Sequence, residues 1–232
     1  MSGWKTKFID KIERAESTKS FRFEKPEDFE YISGQYFFIM IPGVDGRMLM
    51  HHFSFSSSPT ENHIEFTTRI RDSEYKQALE KLPIGVEVDI TEVQGDFVVS
   101  PRMKKVAFFC GGIGITPAMS TAKWVFDTHA DVDIILLYAN RNQAGTAFKD
   151  ELEKLSGRKL KVTHILSKPE EDWKGATGYI NMEFVKESVP DWKERTFFVS
   201  GPPPMVEAIK KVLTDDLGVI ETKIKAENFL GY

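Results

Sequence analysis

Cysteine is almost missing from this chain, since Cys110 is the only one in 232 residues. That excludes an intrachain disulfide framework, a cysteine-rich zinc site and an iron–sulfur cluster held by this chain alone. Histidine is sparse as well. Of the five, only His51 and His52 are close neighbours, and no spacing matches a metal-ligand pattern, so no metal site is expected. Long apolar runs are lacking too. Residues 106–110 and 134–138 fall far short of the ~20 apolar positions a membrane helix needs, and residues 1–16 carry charges where a signal peptide is apolar. No membrane span and a cytoplasmic location are therefore expected. Nor is there an excess of basic charge. Residues 1–100 hold 12 Lys/Arg against 17 Asp/Glu, the remainder 19 against 18, for a net −4 overall. Such a balance lacks the basic face of a nucleic-acid binder.

What is present is a substantial core, with 41% hydrophobic and 12% aromatic residues. The two halves differ in texture. Residues 21–23, 35–41, 52–56, 63–71 and 86–92 alternate or are rich in β-branched and aromatic residues, with Pro, Gly, Asp, Asn or Ser between them. Residues 74–82 are the one helix expected in this half. Short strands with frequent turns predict a small antiparallel barrel or sandwich. Beyond Ser100-Pro101, buried strands are expected at 106–110, 132–138, 160–166 and 196–200. Helices are expected at 118–129, 146–155, 182–187 and 205–217, with Gly218 as a C-cap. Strands alternating with helices predict a parallel sheet covered on both faces. The boundary falls near residues 99–104.

The sharpest local signal follows the first of these strands: Gly111-Gly112-Ile113-Gly114-Ile115-Thr116-Pro117. Glycines allow a tight turn and close approach to a ligand. Thr116 suits an N-cap and Pro117 the first helical position, so free N–H groups and the helix dipole would form an anion site fit for a pyrophosphate. Pro117 stands where the dinucleotide fingerprint has its third glycine, and the Gly-Lys-Ser/Thr ending of a phosphate loop is absent. A strand-to-helix turn without a ligand is the alternative. A second unusual loop, Ser200-Gly201-Pro202-Pro203-Pro204-Met205, ends a later strand of the same sheet. Ligands of open parallel sheets bind beyond the carboxyl ends of strands, so the two loops together favour a nucleotide site.

With these segments the chain resembles the ferredoxin–NADP reductase family of flavoenzymes. The resemblance rests on His51-His52-Phe53-Ser54-Phe55-Ser56-Ser57, the two loops, and the ending Glu227-Asn228-Phe229-Leu230-Gly231-Tyr232. It implies an antiparallel Greek-key barrel that binds flavin (residues 1–100), then a parallel-sheet NAD(P)-binding domain (residues 104–232).

The first motif is similar to the family's Arg-x-Tyr-Ser, with His51 for the phosphate-binding Arg, Phe53 for the ring beside the flavin, and Ser54 near flavin N5. His52 completes the segment. Thr67, Thr68 and Arg69 lie where the next flavin-lining strand runs. Ser73, Tyr75 and Lys76 open the helix where the family holds the FAD pyrophosphate, which favours FAD over FMN. Arg69, Arg71, Ser73 and Lys76 are substitutes within reach for the missing arginine.

The resemblance further implies that Ser200 replaces a cysteine near the nicotinamide, that Glu227 helps relay a proton, and that Phe229 or Tyr232 lies against the flavin. NAD(P)H would rest its pyrophosphate on residues 112–116, with Gly201, Pro202, Pro203 and Met205 opposite. Arg141 would meet the 2′-phosphate of NADPH, NADH being the other donor. The implied activity is hydride transfer from NAD(P)H to FAD, with electrons passed on to an acceptor such as a ferredoxin or flavodoxin. The alternatives are an electron-transfer subunit of a larger redox complex, and a nucleotide-sensing protein without flavin.

Overall fold

The computed structural model describes residues 3–43, 45–157 and 159–230. Strands β1 (Trp4–Ala15), β2 (Thr18–Glu24), β3 (Tyr36–Pro42), β4 (Met48–Ser54), β5 (His63–Arg69) and β6 (Glu87–Gln94) form one antiparallel sheet, ordered β4-β3-β6-β1-β2-β5. It curls until the chain just beyond β4 touches β5 through the bridge of Phe55 with Phe66. β6 returns between β3 and β1, and helix α1 (Glu74–Lys81) follows β5.

Phenylalanine fills this lobe: Phe8, Phe21, Phe23, Phe37, Phe55 and Phe66 are all buried. Each such ring contributes roughly 1.5–3 kcal/mol by leaving water.

The longest strand, β1, is absent from the sequence reading. Lys5, Lys7 and Lys11 interrupt its apolar residues, and its partners lie far along the chain. Phe8–Ala15 pairs with β2 and Trp4–Lys7 with β6, so the strand bends across two register shifts and turns the barrel's corner.

The second lobe comprises β7 (Lys105–Gly111), α2 (Thr116–Thr128), β8 (Asp133–Asn140), α3 (Lys149–Leu155), β9 (Leu160–Leu166), β10 (Ala176–Thr177), α4 (Met182–Ser188), β11 (Thr196–Gly201), α5 (Pro203–Lys211) and β12 (Ile224–Asn228). Its strands are parallel, in the order β10-β9-β8-β7-β11-β12. β7 and β8 read as unbroken apolar runs because both faces are covered. Ala118, Ala122 and Leu152 from α2 and α3 lie on Phe108 and Leu136. Val185, Val206 and Ile209 from α4 and α5 lie on Phe109 and Leu137. Gly218 ends the last helical segment with φ +67°, its N–H bonded to the Thr214 carbonyl. No helix among the described residues is long and apolar enough to cross a membrane.

The lobes are fastened together away from the ends of β7 and β11. The Arg14 guanidinium donates to Glu65 Oε2 (2.8 Å), to Ser20 Oγ (2.7 Å) and, across the junction, to Glu151 Oε1 on α3 (2.5 Å). It also lies 4.8 Å from the centre of the Phe148 ring. Burial alone would raise the Glu65 carboxyl, but Arg14 and Arg22 beside it hold it below the usual range. Ser120 on α2 adds a bond to the Ser57 carbonyl (2.6 Å).

Candidate active site: two cradles on one cleft

β7 does not pass directly into α2. A 3₁₀ turn over Gly112–Ile115 intervenes and runs into α2 without a break. This corrects the capping expectation. Thr116 is itself helical, its hydroxyl donates back to the Ile113 carbonyl (3.2 Å), and Pro117 sits inside the first turn. The first N–H groups of such a turn have no partner within it, which leaves them open to an anion.

The glycines are required by crowding. A Cβ on Gly114 would stand 2.5 Å from the Ser200 carbonyl oxygen, and Gly112 has φ +53°. Ser200 is fully buried, and its hydroxyl donates to the Gly114 carbonyl (2.7 Å). Ser200, expected near the nicotinamide, thus spends its hydroxyl within the protein. Its side chain points into the sheet and fixes the glycine turn from behind.

In front of the turn lies a cavity of about 510 Å³. Gly111 and Gly112 form its floor, Pro202 and Met205 one wall, Asn140, Arg141 and Ser167 the other, and Arg69 reaches in from the barrel. The Arg69 guanidinium lies 3.2 Å from where a Gly112 Cβ would be, so the barrel supplies a cation to the other lobe's turn. Pro203 is the first residue of α5, and Gly201 turns with φ +154° against Gly111. Asn140, Ser167 and Tyr179 line the cavity but are not among the residues expected from sequence. For Asn140 and Ser167 a signal exists, a polar residue directly after an apolar strand at its carboxyl end. Tyr179 has none. Asn140 is buried with both amide atoms unpartnered by protein, as a ligand-facing group would be.

The barrel side is built differently. Phe53 stacks on Phe66 (4.1 Å between centroids) and on His51 (4.7 Å), and the Lys76 ammonium lies 4.4 Å from the Phe53 ring centre. Lys76 is only 6% exposed and donates to Thr68 Oγ1 (2.5 Å). Burial pushes its pKa down to about 7. Ser73 caps α1 by accepting from the Lys76 N–H (3.3 Å), and Tyr75 packs against His51 and Phe53. A helix N-terminus beside a buried ammonium fits a phosphate.

Of the two, Lys76 is the better candidate to meet a phosphate. The His51 Nδ1–H is spent on the His52 carbonyl (2.8 Å), and burial lowers the ring's pKa, with the Lys76 charge adding to it. Strand parity corrects a second expectation. Thr68 faces Lys76, so Thr67 must face away, and its hydroxyl bonds Ser20 and Ser56 (2.6 and 2.8 Å) in the junction network.

Between β4 and the end of β12 lies a second cavity, about 180 Å³, lined by His51, His52, Phe53, Ser54, Glu227, Asn228, Phe229 and Leu230. Burial, with Asp96 nearby, pushes Glu227 up to about 7, and its Oε2 is buried without a protein partner. The Phe229 N–H donates to the Gly201 carbonyl (2.9 Å), which ties this cavity to the proline loop of the first. Gly231 and Tyr232 lie outside the described residues.

Comparison with known proteins agrees with this division. The family model of the oxidoreductase FAD-binding domain matches residues 5–98, and that of the oxidoreductase NAD-binding domain matches residues 108–211. The glycine betaine monooxygenase reductase subunit of Chromohalobacter salexigens is 32% identical over 205 residues, which are 84% of this chain and 55% of that protein. NADH-cytochrome b5 reductase 1 of Mortierella alpina is 26% identical over 224 residues, 92% of this chain and 74% of that one. The chain thus spans about half the length of the first of these relatives.

Among solved structures, the FAD/NAD-binding domain of nitric oxide dioxygenase from Vibrio cholerae superposes with a TM-score of 0.86 at 18% identity, covering 99% of both chains. A ferredoxin NADP+ reductase from Neisseria gonorrhoeae with bound FAD and NADP gives 0.84 at 17% identity, covering 98% of this chain and 99% of that one.

Proposed function

The chain belongs to the ferredoxin–NADP reductase family, an FAD-binding domain followed by an NAD-binding domain, and on that premise we propose that it oxidises NAD(P)H and passes the electrons through FAD to an acceptor. The observation that carries this reading is the Phe229–Gly201 hydrogen bond. It extends the β11–β12 ladder so that Phe229, in the barrel-side cavity, lies beside the proline loop whose Pro202 lines the nucleotide-side cavity, which supports a nicotinamide past that loop meeting a ring on Ser54.

FAD, when bound, supplies a two-electron acceptor for hydride that can return electrons one at a time. The chain's own residues do the rest. Lys76 and the start of α1 hold a flavin phosphate, and Phe53 and Phe229 border the ring. The Ser54 hydroxyl would bond near flavin N5, and Glu227, with its raised pKa, would hold and release a proton close to neutrality. The 3₁₀ turn at Gly112 and the Arg69 guanidinium receive the dinucleotide pyrophosphate, while Arg141 at the end of β8 meets a 2′-phosphate, favouring NADPH. Orientation of this kind can remove several kcal/mol from a barrier. Dependence on a pool of reduced nicotinamide supports a cytoplasmic location.

The test is anaerobic mixing of FAD-loaded protein with NADPH and with NADH. Bleaching of the visible flavin bands by either one is expected, faster with NADPH. No bleaching with either ends the reading.

A further inference from the structure

The outside of the barrel carries an apolar surface that its core does not need. Met48, Met50 and His52 stand on the outward face of the edge strand β4, with Met40 paired to Met50 and Phe38 to His52 on β3. Met48 and Met50 are 50% and 59% exposed. The rings of Tyr36, Phe38 and His52 lie 5.4–5.8 Å apart, so the thioethers and rings form one patch. Contiguous apolar surface of this sort marks an interaction site more often than a scattered exposed residue does.

The patch continues into the cavity beside Ser54, because His52 belongs to both and exposed Leu230 stands at the cavity's other rim. Its inner border is acidic. β6 places Glu92 opposite Phe38 and Asp89 opposite Met40, on the same outward face. Lys5 pairs with Glu87 (2.6 Å) and stands opposite Asp89, so one lysine offsets only one of the three carboxylates Glu87, Asp89 and Glu92, while Lys225, bonded to the Asp96 carbonyl, keeps its charge beyond them.

We propose that this face docks a one-electron carrier protein whose redox centre opens onto an apolar surface ringed by basic residues. The proposal rests on the flavin-reductase reading above. In that reading electrons pass from the flavin to an acceptor, and the patch adjoins the cavity where the flavin ring would lie. The acidic border selects a basic rim and disfavours an acidic ferredoxin or flavodoxin. Electron-transfer contacts are small and transient, which suits a patch of six side chains. The balance is one NAD(P)H and two oxidised carriers giving one NAD(P)+, two reduced carriers and one proton.

Mitochondrial cytochrome c serves as the basic probe and a plant-type ferredoxin as the acidic one, with FAD-loaded full-length protein and the variants Met50→Lys and Glu92→Lys. At low salt the wild type is expected to reduce cytochrome c with a higher kcat/KM than ferredoxin, and added salt to lower it. Each variant should reduce cytochrome c about tenfold less efficiently, with the rate of flavin reduction by NAD(P)H unchanged.

Surface plasmon resonance of oxidised cytochrome c gives a readout without turnover, and the variants should weaken that binding as well. Failure of NAD(P)H to reduce the flavin would sink the function reading, and the binding comparison would still decide the docking face. Variants that bind and reduce cytochrome c like the wild type would overturn the proposal. So would a preference for the acidic carrier, or a wild-type dimer in sedimentation that Met50→Lys dissociates.

Discussion

The glycine turn of the nucleotide lobe and the Lys76 corner of the barrel both make room for an anion, by opposite means. At the turn the work is done by backbone. N–H groups at the start of a 3₁₀ segment lack partners within it, and a side chain is excluded at Gly114 because that position lies against Ser200. At the corner it is done by one buried side chain. Lys76 brings a positive charge into an aromatic setting where its own charged form is disfavoured. A backbone cradle has fixed partial charges and no titration. A lysine held near neutrality binds a phosphate better when protonated, so its grip depends on pH. The two halves of the cleft should therefore respond differently to mutation and to pH.

The largest effect should break the nucleotide side alone. Gly114→Val puts branches where even a Cβ meets the Ser200 backbone, and flavin reduction by NAD(P)H should fall more than ~100-fold, as displacements near 1 Å can cause. FAD binding to the barrel should persist, and a thermal melt shows whether the fold has survived. Equal loss of both ligands would mean that the cradles are not independent.

Glu227→Gln comes next. General acid–base catalysis is typically worth at least ~100-fold, and a drop of about that size is expected in turnover below pH 7, where Glu227 is protonated. The wild-type pH profile should bend near 7 and the variant's should not.

On the barrel side, Lys76→Met should weaken FAD binding by about tenfold to a hundredfold, the weight of one charge-assisted hydrogen bond. Wild-type FAD affinity should decline as pH rises through about 7, and the variant's should be flat. The unfolded chain keeps this lysine protonated up to its ordinary value of 10.5 while the folded apoprotein releases the proton near 7. This group therefore makes the apoprotein more stable as pH climbs between those values, and calorimetry of wild type and variant reads that slope. The smallest effect is expected from Arg141→Ala, which should raise KM for NADPH up to about tenfold more than KM for NADH. A rise no larger for NADPH rejects the 2′-phosphate role.

The nucleotide lobe was legible in the sequence because its signals are local. Runs such as 106–110 are continuous where strands are covered on both faces, and the glycines and prolines stand where the chain turns. The barrel was harder. β1 hides behind its lysines, and its pairing to β2 and β6 bridges distant segments. Lys76 reads as one more basic residue until α1 folds it over Phe53, while His51 occupies the motif position but spends its N–H on its own strand. Thr67 and Thr68 were both assigned to the flavin side, although neighbours on a strand face opposite ways. Ser200 was read from its place beside the proline loop, and only the packing against Gly114 reveals where its hydroxyl points.

The proposed reaction requires a nicotinamide and a flavin ring, one in each cavity, in direct contact beside the Phe229–Gly201 bond. Stopped-flow reduction of the FAD-loaded protein by NADPH carrying deuterium at one or the other face of C4 tests it most directly. Deuterium on one face is expected to slow flavin reduction, and on the other to leave it unchanged. Equal rates with both isotopomers and with unlabelled NADPH would contradict it.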